Sequence, residues 1–401
     1  MHKRVVITGM GIICAIGKNA EEAFISLKQS RSGVGPITIL NTKNKDNIPA
    51  AEIKLSDTEL ADLAGVDINN DHTRTSLLGI IAAKEAFESA GNKCGKPDGI
   101  LTGIVSSTTV GGMDKTEKHF YDFLSNNKYS HYILTHDCSD STKKIADCLG
   151  IRNFLITVST ACSSSANAIM YGARLIKHGI VERVIVGGTD ALSKFTLNGF
   201  NSLMILDKQP CRPFDDNRNG LNLGEGAGYL ILESEEVALK NKKEILCELT
   251  GYANANDAYH QTASSPDGFG QYLAIKQALE KNGLSKEKID YINAHGTGTD
   301  NNDLSEGIAI EKVFEPNIPK VSSTKPFTGH TLAASGAVEA VFSIMSIKHQ
   351  IIFPNLNFSK KMKELSFKPV EKIITDSEIN HVISNSFGFG GNDTSLIFSK
   401  Y

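Results

Sequence analysis

Apolar and polar positions along this chain fall into a recurring pattern of short β-branched runs, small-residue turns and segments of helical spacing. Val5-Val6-Ile7 predicts a first buried strand running into a glycine loop at Gly9-Met10-Gly11. Glu21 to Gln29 has helical spacing, and Arg31 to Pro36 reads as a loop. From Ser76 to Ala90 the residues Leu77, Leu78, Ile81, Ala82, Ala86 and Phe87 recur on one face, and Gly91 closes that helix. Ile100 to Ser106 reads as a strand, Ser107 to Met113 as a polar-lined loop, and Lys115 to Asn127 as a charged surface segment. Phe154 to Val158 predicts a strand, Ala166 to Lys177 an amphipathic helix, and Arg183 to Gly188 another buried strand. A turn-rich stretch from Cys211 to Gly228 precedes the strand Tyr229 to Leu232.

Residues 235 to 245 form a lysine- and glutamate-rich helical segment, read as a solvated face and as a boundary between halves. Beyond it the alternation resumes, with helices over Gln271–Asn282, Asp303–Phe314 and Leu332–Lys348. Strands are expected at Ile289–Asn293, the run from His381, and Ser395–Phe398, and Val321-Ser322-Ser323-Thr324 leads to Lys325. Strands alternating with helices in both halves predict an α/β architecture of helix-covered sheets. The expected division is 1–245 and 246–401, with no direct sequence repeat between the halves.

Composition narrows the function. The 401 residues carry a formal net charge of −3 and no tryptophan, which argues against nucleic acid as the main partner. Seven scattered cysteines without a CxxC pair suit free thiols in a reducing compartment. Met1-His2-Lys3-Arg4 before an apolar run looks like a leader, but Gly9, Gly11 and Gly17 interrupt it. No stretch reaches the length of a membrane span, and the expected location is cytoplasmic.

Candidate chemistry centres on Thr160-Ala161-Cys162-Ser163-Ser164, which places Cys162 in a sharp turn where a helix should begin. Free first-turn amides and the helix dipole there favour a thiolate and lower its pKa. A lone cysteine in such a turn is equally a small buried hydrophobe. The Gly9-x-Gly11 pair is not a dinucleotide fingerprint, because Cys14 stands where a third glycine is required. His295, in Ala-His-Gly-Thr-Gly-Thr just past a strand, and His330, between Gly329 and a helix start and five residues beyond Lys325, are each flanked by glycine in loops of the kind that carry chemistry. One cysteine and two histidines could also be a zinc set, although each comes singly from a distant segment. A Cys-His-Asn protease leaves the second histidine and the lysine without a use.

These motifs, with Asn293-Ala294-His295-Gly296-Thr297, Lys325 through Thr328-Gly329-His330, and Asn385-Ser386-Phe387-Gly388-Phe389-Gly390-Gly391, stand in one order over essentially the whole chain. In that order and spacing the chain resembles the elongating β-ketoacyl-[acyl-carrier-protein] synthases of the thiolase superfamily. The resemblance implies a thiolase fold of two similar halves stacked as an α-β-α-β-α sandwich. It implies decarboxylative condensation of malonyl carrier protein with an acyl chain held on Cys162. His295 and His330 would stabilise the enolate, and backbone N–H groups of Cys162 and Phe389 would form the oxyanion hole. Phe389 would also gate the site, and Lys325 would anchor it with Glu306 as ion-pair partner. Thr297 and Thr299 would bind the phosphopantetheine arm, and Thr109 and Val110 the acyl chain. No cofactor is implied; a structural cation near Asn293, Glu339, Ser384 and Asn385 is. The implied partners are acyl carrier protein and a second subunit, in a homodimer or a heterodimer with a chain-length-factor-like chain.

The chain departs from the family in four places, one of them a short span between Leu206 and Arg212. Gly390-Gly391-Asn392-Asp393 replaces the usual Gly-Gly-Thr-Asn. Ser106-Ser107-Thr108-Thr109 brings hydroxyls to the acyl loop, which suggests a polar pocket. Asp67 to Arg74, with Asn69 and Asn70, is nearly free of the basic residues expected for carrier-protein docking, so Lys208, Arg212 or Arg74 are the alternatives. These departures resemble synthases of aryl-polyene or flexirubin-type pigment pathways; ordinary fatty-acid elongation is the alternative. A non-catalytic, pocket-shaping subunit and a thiolase using coenzyme A are the other readings.

Overall fold

The computed structural model describes residues 3–68, 71–96, 98–126 and 128–401; Met1, His2, Asn69, Asn70 and Asn127 of the readings above lie outside them. Ten strands form one sheet: β1 (Val5–Cys14), β2 (Thr102–Ser107), β3 (Phe154–Val158), β4 (Arg183–Asp190), β5 (Gly226–Ser234), β6 (Cys247–Asn256), β7 (Tyr291–Asn293), β8 (Lys320–Ser322), β9 (His381–Gly388) and β10 (Asn392–Ser399). The order across it is β3-β2-β4-β5-β1-β6-β10-β9-β7-β8. Counted outward from the centre, each half runs first, fifth, fourth, second, third strand. The pairings repeat as well, parallel among the outer three strands and antiparallel toward the centre. Within the sheet the halves are joined where β1 meets β6, at Val6↔Glu248 and Ile7↔Cys247. The duplication invisible in the sequence is therefore plain in the topology.

The helices are α1 (Ala20–Lys28), α2 (Asp57–Ala64), α3 (Arg74–Ser89), α4 (Met113–Asn126), α5 (Cys138–Leu149), α6 (Ser164–Lys177), α7 (Lys194–Ser202), α8 (Glu235–Lys240), α9 (Phe269–Asn282), α10 (Asp300–Phe314), α11 (Lys325–Thr328) and α12 (Ser335–His349). Three layers of helix enclose the two half-sheets. One outer core joins α2, α3 and α5 to the first half, around Leu77, Ile81 and Ile231. The other joins α9 and α10 to the second half, around Ile275, Ile310 and Ile397. Between them α6 and α12 share one core with both half-sheets, including Ile169, Ala173, Val341 and Phe342. Every residue of α12 from Ser335 to Ile347 is buried, as befits a helix apolar or small on all sides. The two central helices begin at the functional residues, so the most constrained layer of the fold positions the chemistry.

Three local expectations change. Strand β1 passes straight through Gly9 and Gly11 instead of turning there. A Cβ on Gly9 would lie 2.3 Å from the Ala86 carbonyl oxygen, so these glycines let α3 close on the sheet. The surface helix after residue 235 is shorter, ending at Lys240. Helix α2, which the hydrophobic spacing did not reveal, is marked by a capping box between Ser56 and Glu59.

Arg74 is removed from the candidate docking residues. Its guanidinium is buried, donating from Nε to Glu225 Oε2 at 2.8 Å and from Nη2 to Glu225 Oε1 at 2.7 Å. Glu225 also accepts from Ile53 N and Leu192 N, so this pair ties the start of α3 to segments on either side of it. Arg74→Ala leaves a buried carboxylate without its counter-charge and is expected to cost about 3–5 kcal/mol. Chemical denaturation of the purified variant measures it; a loss below about 1 kcal/mol, the range of an exposed pair, would contradict the assignment.

Candidate active site

Strand β3 ends at Val158 and helix α6 begins at Ser164, so five residues make the turn that carries Cys162. Ala161 sits in the left-handed region at φ 53°, a strained conformation for a residue with a Cβ. Two hydrogen bonds brace the turn: the Ser163 hydroxyl donates to Thr160 O, and the Thr160 backbone N–H donates to Ser164 Oγ. Cys162 lies two residues before the first helical residue and is 5% exposed.

The two histidines arrive from the second half. Ala294-His295-Gly296 follows β7, and His330 follows α11 through Gly329 at φ 64°. A Cβ on Gly329 would stand 2.6 Å from Leu223 O, and this close approach lets His330 N donate to Asn222 O at 2.7 Å. His330 Nε2 is 3.0 Å from Cys162 Sγ, and the imidazole of His295 stands edge-on to that of His330 with centroids 5.3 Å apart. One donor atom each from Cys162, His295 and His330 lies within 4.8 Å of the others.

Both imidazole tautomers follow from their neighbours. Lys325 Nζ, whose ammonium can only donate, is 3.2 Å from His295 Nδ1, so the proton of neutral His295 sits on Nε2. The Leu332 backbone N–H donates to His330 Nδ1 at 3.3 Å, with Ser335 Oγ 2.9 Å from the same nitrogen, so His330 also carries its proton on Nε2. Burial, followed by the nearby positive charge of Lys325, holds both histidines well below the ordinary imidazole range. Two neutral N–H donors therefore converge beside the thiol. The same buried ammonium opposes a dication among these three groups, which disfavours the zinc reading.

The expected partner of Lys325 requires correction. Its ammonium pairs with Glu339 on α12, and it donates to His295 O at 2.6 Å. Glu306 instead accepts from His295 N at 2.9 Å, Gly296 N at 2.7 Å and Asn385 Nδ2 at 3.1 Å. It holds the His295 backbone, while Lys325 holds its ring. Burial pushes both carboxyls up to about 7. Asp303, which the sequence reading passed over, secures the next turn by accepting from Thr297 N at 2.9 Å and Gly298 N at 3.1 Å. Of the expected cation cluster, Glu339 Oε2 and Ser384 Oγ are buried without a partner, as a hard cation would require. The side chains of Asn293 and Asn385 already hydrogen-bond within the protein.

Burial pushes the Cys162 thiol up to about 11, against the pull of Lys325 and a hydrogen bond from the Phe389 backbone N–H. The expectation of a lowered thiol pKa is thus not met: a fully enclosed sulfur outside the first helical turn loses more to desolvation than the dipole returns.

Two cavities meet at Cys162. One, of about 220 Å³, is lined by Thr297, Thr299, His295, His330 and Ser264. The other, of about 400 Å³, is lined chiefly by Val110, Met113, Phe195, Phe200, Leu203 and Leu332. The stacked rings of Phe389 and Phe200, 5.8 Å apart at 15°, border both. The second cavity is apolar, which corrects the polar pocket expected from Ser106 to Thr109. Ser106 Oγ is 2.6 Å from Tyr229 Oη, Ser107 donates to Gly187 O, and Thr108 and Thr109 donate to Asp190. All four hydroxyls are spent inside the protein.

Comparison with known families agrees with this geometry. Residues 2–238 match the family described as "Beta-ketoacyl synthase, N-terminal domain" and residues 246–359 "Beta-ketoacyl synthase, C-terminal domain". The chain belongs to the β-ketoacyl synthase family. This synthase is 32% identical over 407 residues to Nodulation protein E of Rhizobium meliloti (strain 1021), covering 100% of both chains. It is 32% identical over 411 residues to 3-oxoacyl-[acyl-carrier-protein] synthase 2 of Staphylococcus aureus (strain COL), covering 100% of this chain and 99% of the relative. The solved structure of the ishigamide ketosynthase/chain length factor superposes with a TM-score of 0.92 at 30% identity, covering 100% of both chains.

Because the thiol is held up by burial, iodoacetamide alkylation of Cys162 is expected to keep accelerating as pH rises through 9. Lys325→Met removes the stabilising charge and should slow alkylation at every pH. Peptide mass mapping separates Cys162 from the half-exposed Cys94, Cys138 and Cys148. A rate already level by pH 8 would contradict the burial argument.

Proposed function

We propose that Cys162, His295 and His330 carry out the decarboxylative condensation that extends an acyl chain held on this synthase. The observation that carries the assignment is the His330 Nε2 lying 3.0 Å from the thiol with a ring nitrogen of His295 within 4.8 Å, both tautomers being fixed by Lys325 and Leu332. Cys162 Sγ attacks an acyl carrier-protein thioester; the carbonyl–sulfur bond breaks, and the carrier thiol leaves with the cysteine proton. The N–H groups of Cys162 and Phe389 stabilise the tetrahedral oxyanion. Malonyl carrier protein then loses carbon dioxide, and the bonding pair remains on the methylene carbon. His295 and His330 donate hydrogen bonds to the enolate oxygen without giving up their protons. The carbanion attacks the Cys162 thioester, forms the new carbon–carbon bond and returns the cysteine sulfur.

The cavity with Thr297 and Thr299, whose hydroxyls are 2.8 Å apart, suits the polar phosphopantetheine arm. The apolar cavity beside Val110 and Thr109 suits a hydrocarbon or conjugated chain, as fatty-acid or aryl-polyene-type synthesis would supply. Lys208 is exposed and the Arg212 backbone lies against Gly298, between the two threonines, so these are the basic residues we assign to carrier-protein docking. A hard cation at Glu339, Ser384 and the neighbouring Asn293 and Asn385 would supply positive charge to the Glu339 carboxylate.

A partner subunit is part of the reading. Strand β3 ends the sheet with Leu155 exposed, and α4 and the following turn expose Phe120, Tyr121, Leu124 and Leu134. The ishigamide relative is described as a ketosynthase/chain length factor, so a heterodimer stands beside a homodimer. Division into working halves at residues 1–245 and 246–401, the first bearing the nucleophile and the second the histidines, follows the duplicated topology. Among the described residues no helix is long and apolar enough to cross a membrane, and we place the reaction in the cytoplasm.

Cys162→Ala decides between an enzyme and a pocket-shaping subunit. The assembled complex carrying it should form no acyl adduct and no β-ketoacyl carrier protein, and retained condensation would overturn the assignment. Removing one oxyanion-type donor with His330→Ala should lower carbon dioxide release from malonyl carrier protein by about 10²–10³. The histidines are neutral above their lowered pKa values, so that release should not fall between pH 8 and pH 6.5; a loss centred at pH 6.5 would contradict neutral donors.

A further inference from the structure

Asp190 ends strand β4 beneath the active site, is fully buried, and touches neither the thiol nor the histidines in any hydrogen bond. Its carboxylate collects donors from two separate segments. From the acyl loop it accepts Thr109 N at 3.0 Å, Thr109 Oγ1 at 2.6 Å, Val110 N at 3.0 Å and the Thr108 hydroxyl. From the turn after His330 it accepts Ala333 N at 2.8 Å. Such a concentration of donors on one buried carboxylate fixes both backbones relative to each other.

The second of those backbones carries a strained residue. Leu332 has φ 52°, a left-handed conformation that a branched side chain adopts only when its surroundings compel it. Its backbone N–H donates to His330 Nδ1, and it lines the acyl cavity together with Val110. The anchored Ala333 N–H is the next donor along the chain. One carboxylate therefore holds a wall of the acyl cavity through Val110 and, one residue away, the amide that assigns the His330 proton to Nε2.

Resting on the condensation reading above, we infer that Asp190 is a positioning residue that ties occupancy of the acyl cavity to the orientation of His330. An acyl chain pressing on Val110 and Leu332 bears on the same anchor that aims the His330 Nε2–H. Decarboxylation of malonyl carrier protein is thereby favoured when a chain is in place and restrained when the cavity is empty. Acylation of Cys162, which uses backbone N–H groups for its oxyanion, depends on this anchor far less.

The test separates the half-reactions in the full-length protein with its partner subunit. Asp190→Asn keeps the size of the side chain but replaces an acceptor oxygen by an N–H donor. Thr108→Val removes one donor to Asp190 from a fully buried position outside both cavities. Acylation is read as the mass increment on Cys162, and decarboxylation as carbon dioxide released with and without a bound acyl chain. For Asp190→Asn the expected result is acylation within about threefold of the parent and decarboxylation down at least about tenfold, with acyl stimulation lost. Thr108→Val should show the same split in smaller measure. If either folded variant lowers both half-reactions by the same factor, or leaves acyl stimulation intact, the inference is wrong. Should Asp190→Asn not fold, Thr108→Val decides alone. Failure of the parent protein to acylate Cys162 or to decarboxylate would instead refute the condensation reading itself.

Discussion

The buried ammonium of Lys325 is the constraint on which the rest of the site depends. A lone cation enclosed by protein is costly, and here Glu339 on the central helix α12 offsets that cost. With its charge balanced, Lys325 is free to act on the site through geometry. It holds the ring of His295 at Nδ1 and its carbonyl oxygen, leaving the proton on Nε2. Its field also opposes protonation of both histidines and partly offsets the burial of the Cys162 sulfur. Together with burial, which is the larger cause, this one side chain helps keep two imidazoles neutral, and it moderates the nucleophile.

The duplicated sheet explains how such a cluster is assembled. The strand-to-helix turn that delivers Cys162 comes from the first half, whereas His295, Lys325 and His330 come from loops of the second. The central helices α6 and α12 pack against each other between the half-sheets, and both are nearly free of exposed side chains. Placing nucleophile and ion pair on that layer fixes their separation through the most tightly packed part of the molecule. The Phe389 loop, the acyl cavity and the exposed apolar residues of α4 lie outside that layer.

Much of this was legible in the residues alone. The order of Cys162, His295, Lys325, His330 and Phe389, and most strands and helices of the alternation, could be read because turn chemistry and apolar spacing are local properties. What escaped were choices made by packing. Glu306 and Glu339 are both acidic residues on helices near the site, and only the three-dimensional arrangement shows that Glu339 takes the lysine while Glu306 takes backbone amides. The hydroxyls of Ser106 to Thr109 suggested a polar pocket, but an alternating strand end sends them inward to Tyr229, Gly187 and Asp190. The cysteine turn promised a lowered pKa from the helix dipole; enclosure of the sulfur, which depends on residues far away in sequence, outweighs it. Gly9 and Gly11 looked like a turn because their true role, close passage of α3, leaves no local trace.

The central claim is that both histidines are neutral with the proton on Nε2. Nitrogen-15 NMR of the histidine-labelled protein, with His295 and His330 assigned by single substitution, tests it directly. The account predicts that across pH 6.5 to 8 both rings show a protonated Nε2 and an unprotonated, hydrogen-bond-accepting Nδ1. An imidazolium at either position in that range, or a proton on Nδ1 of either ring, would contradict it.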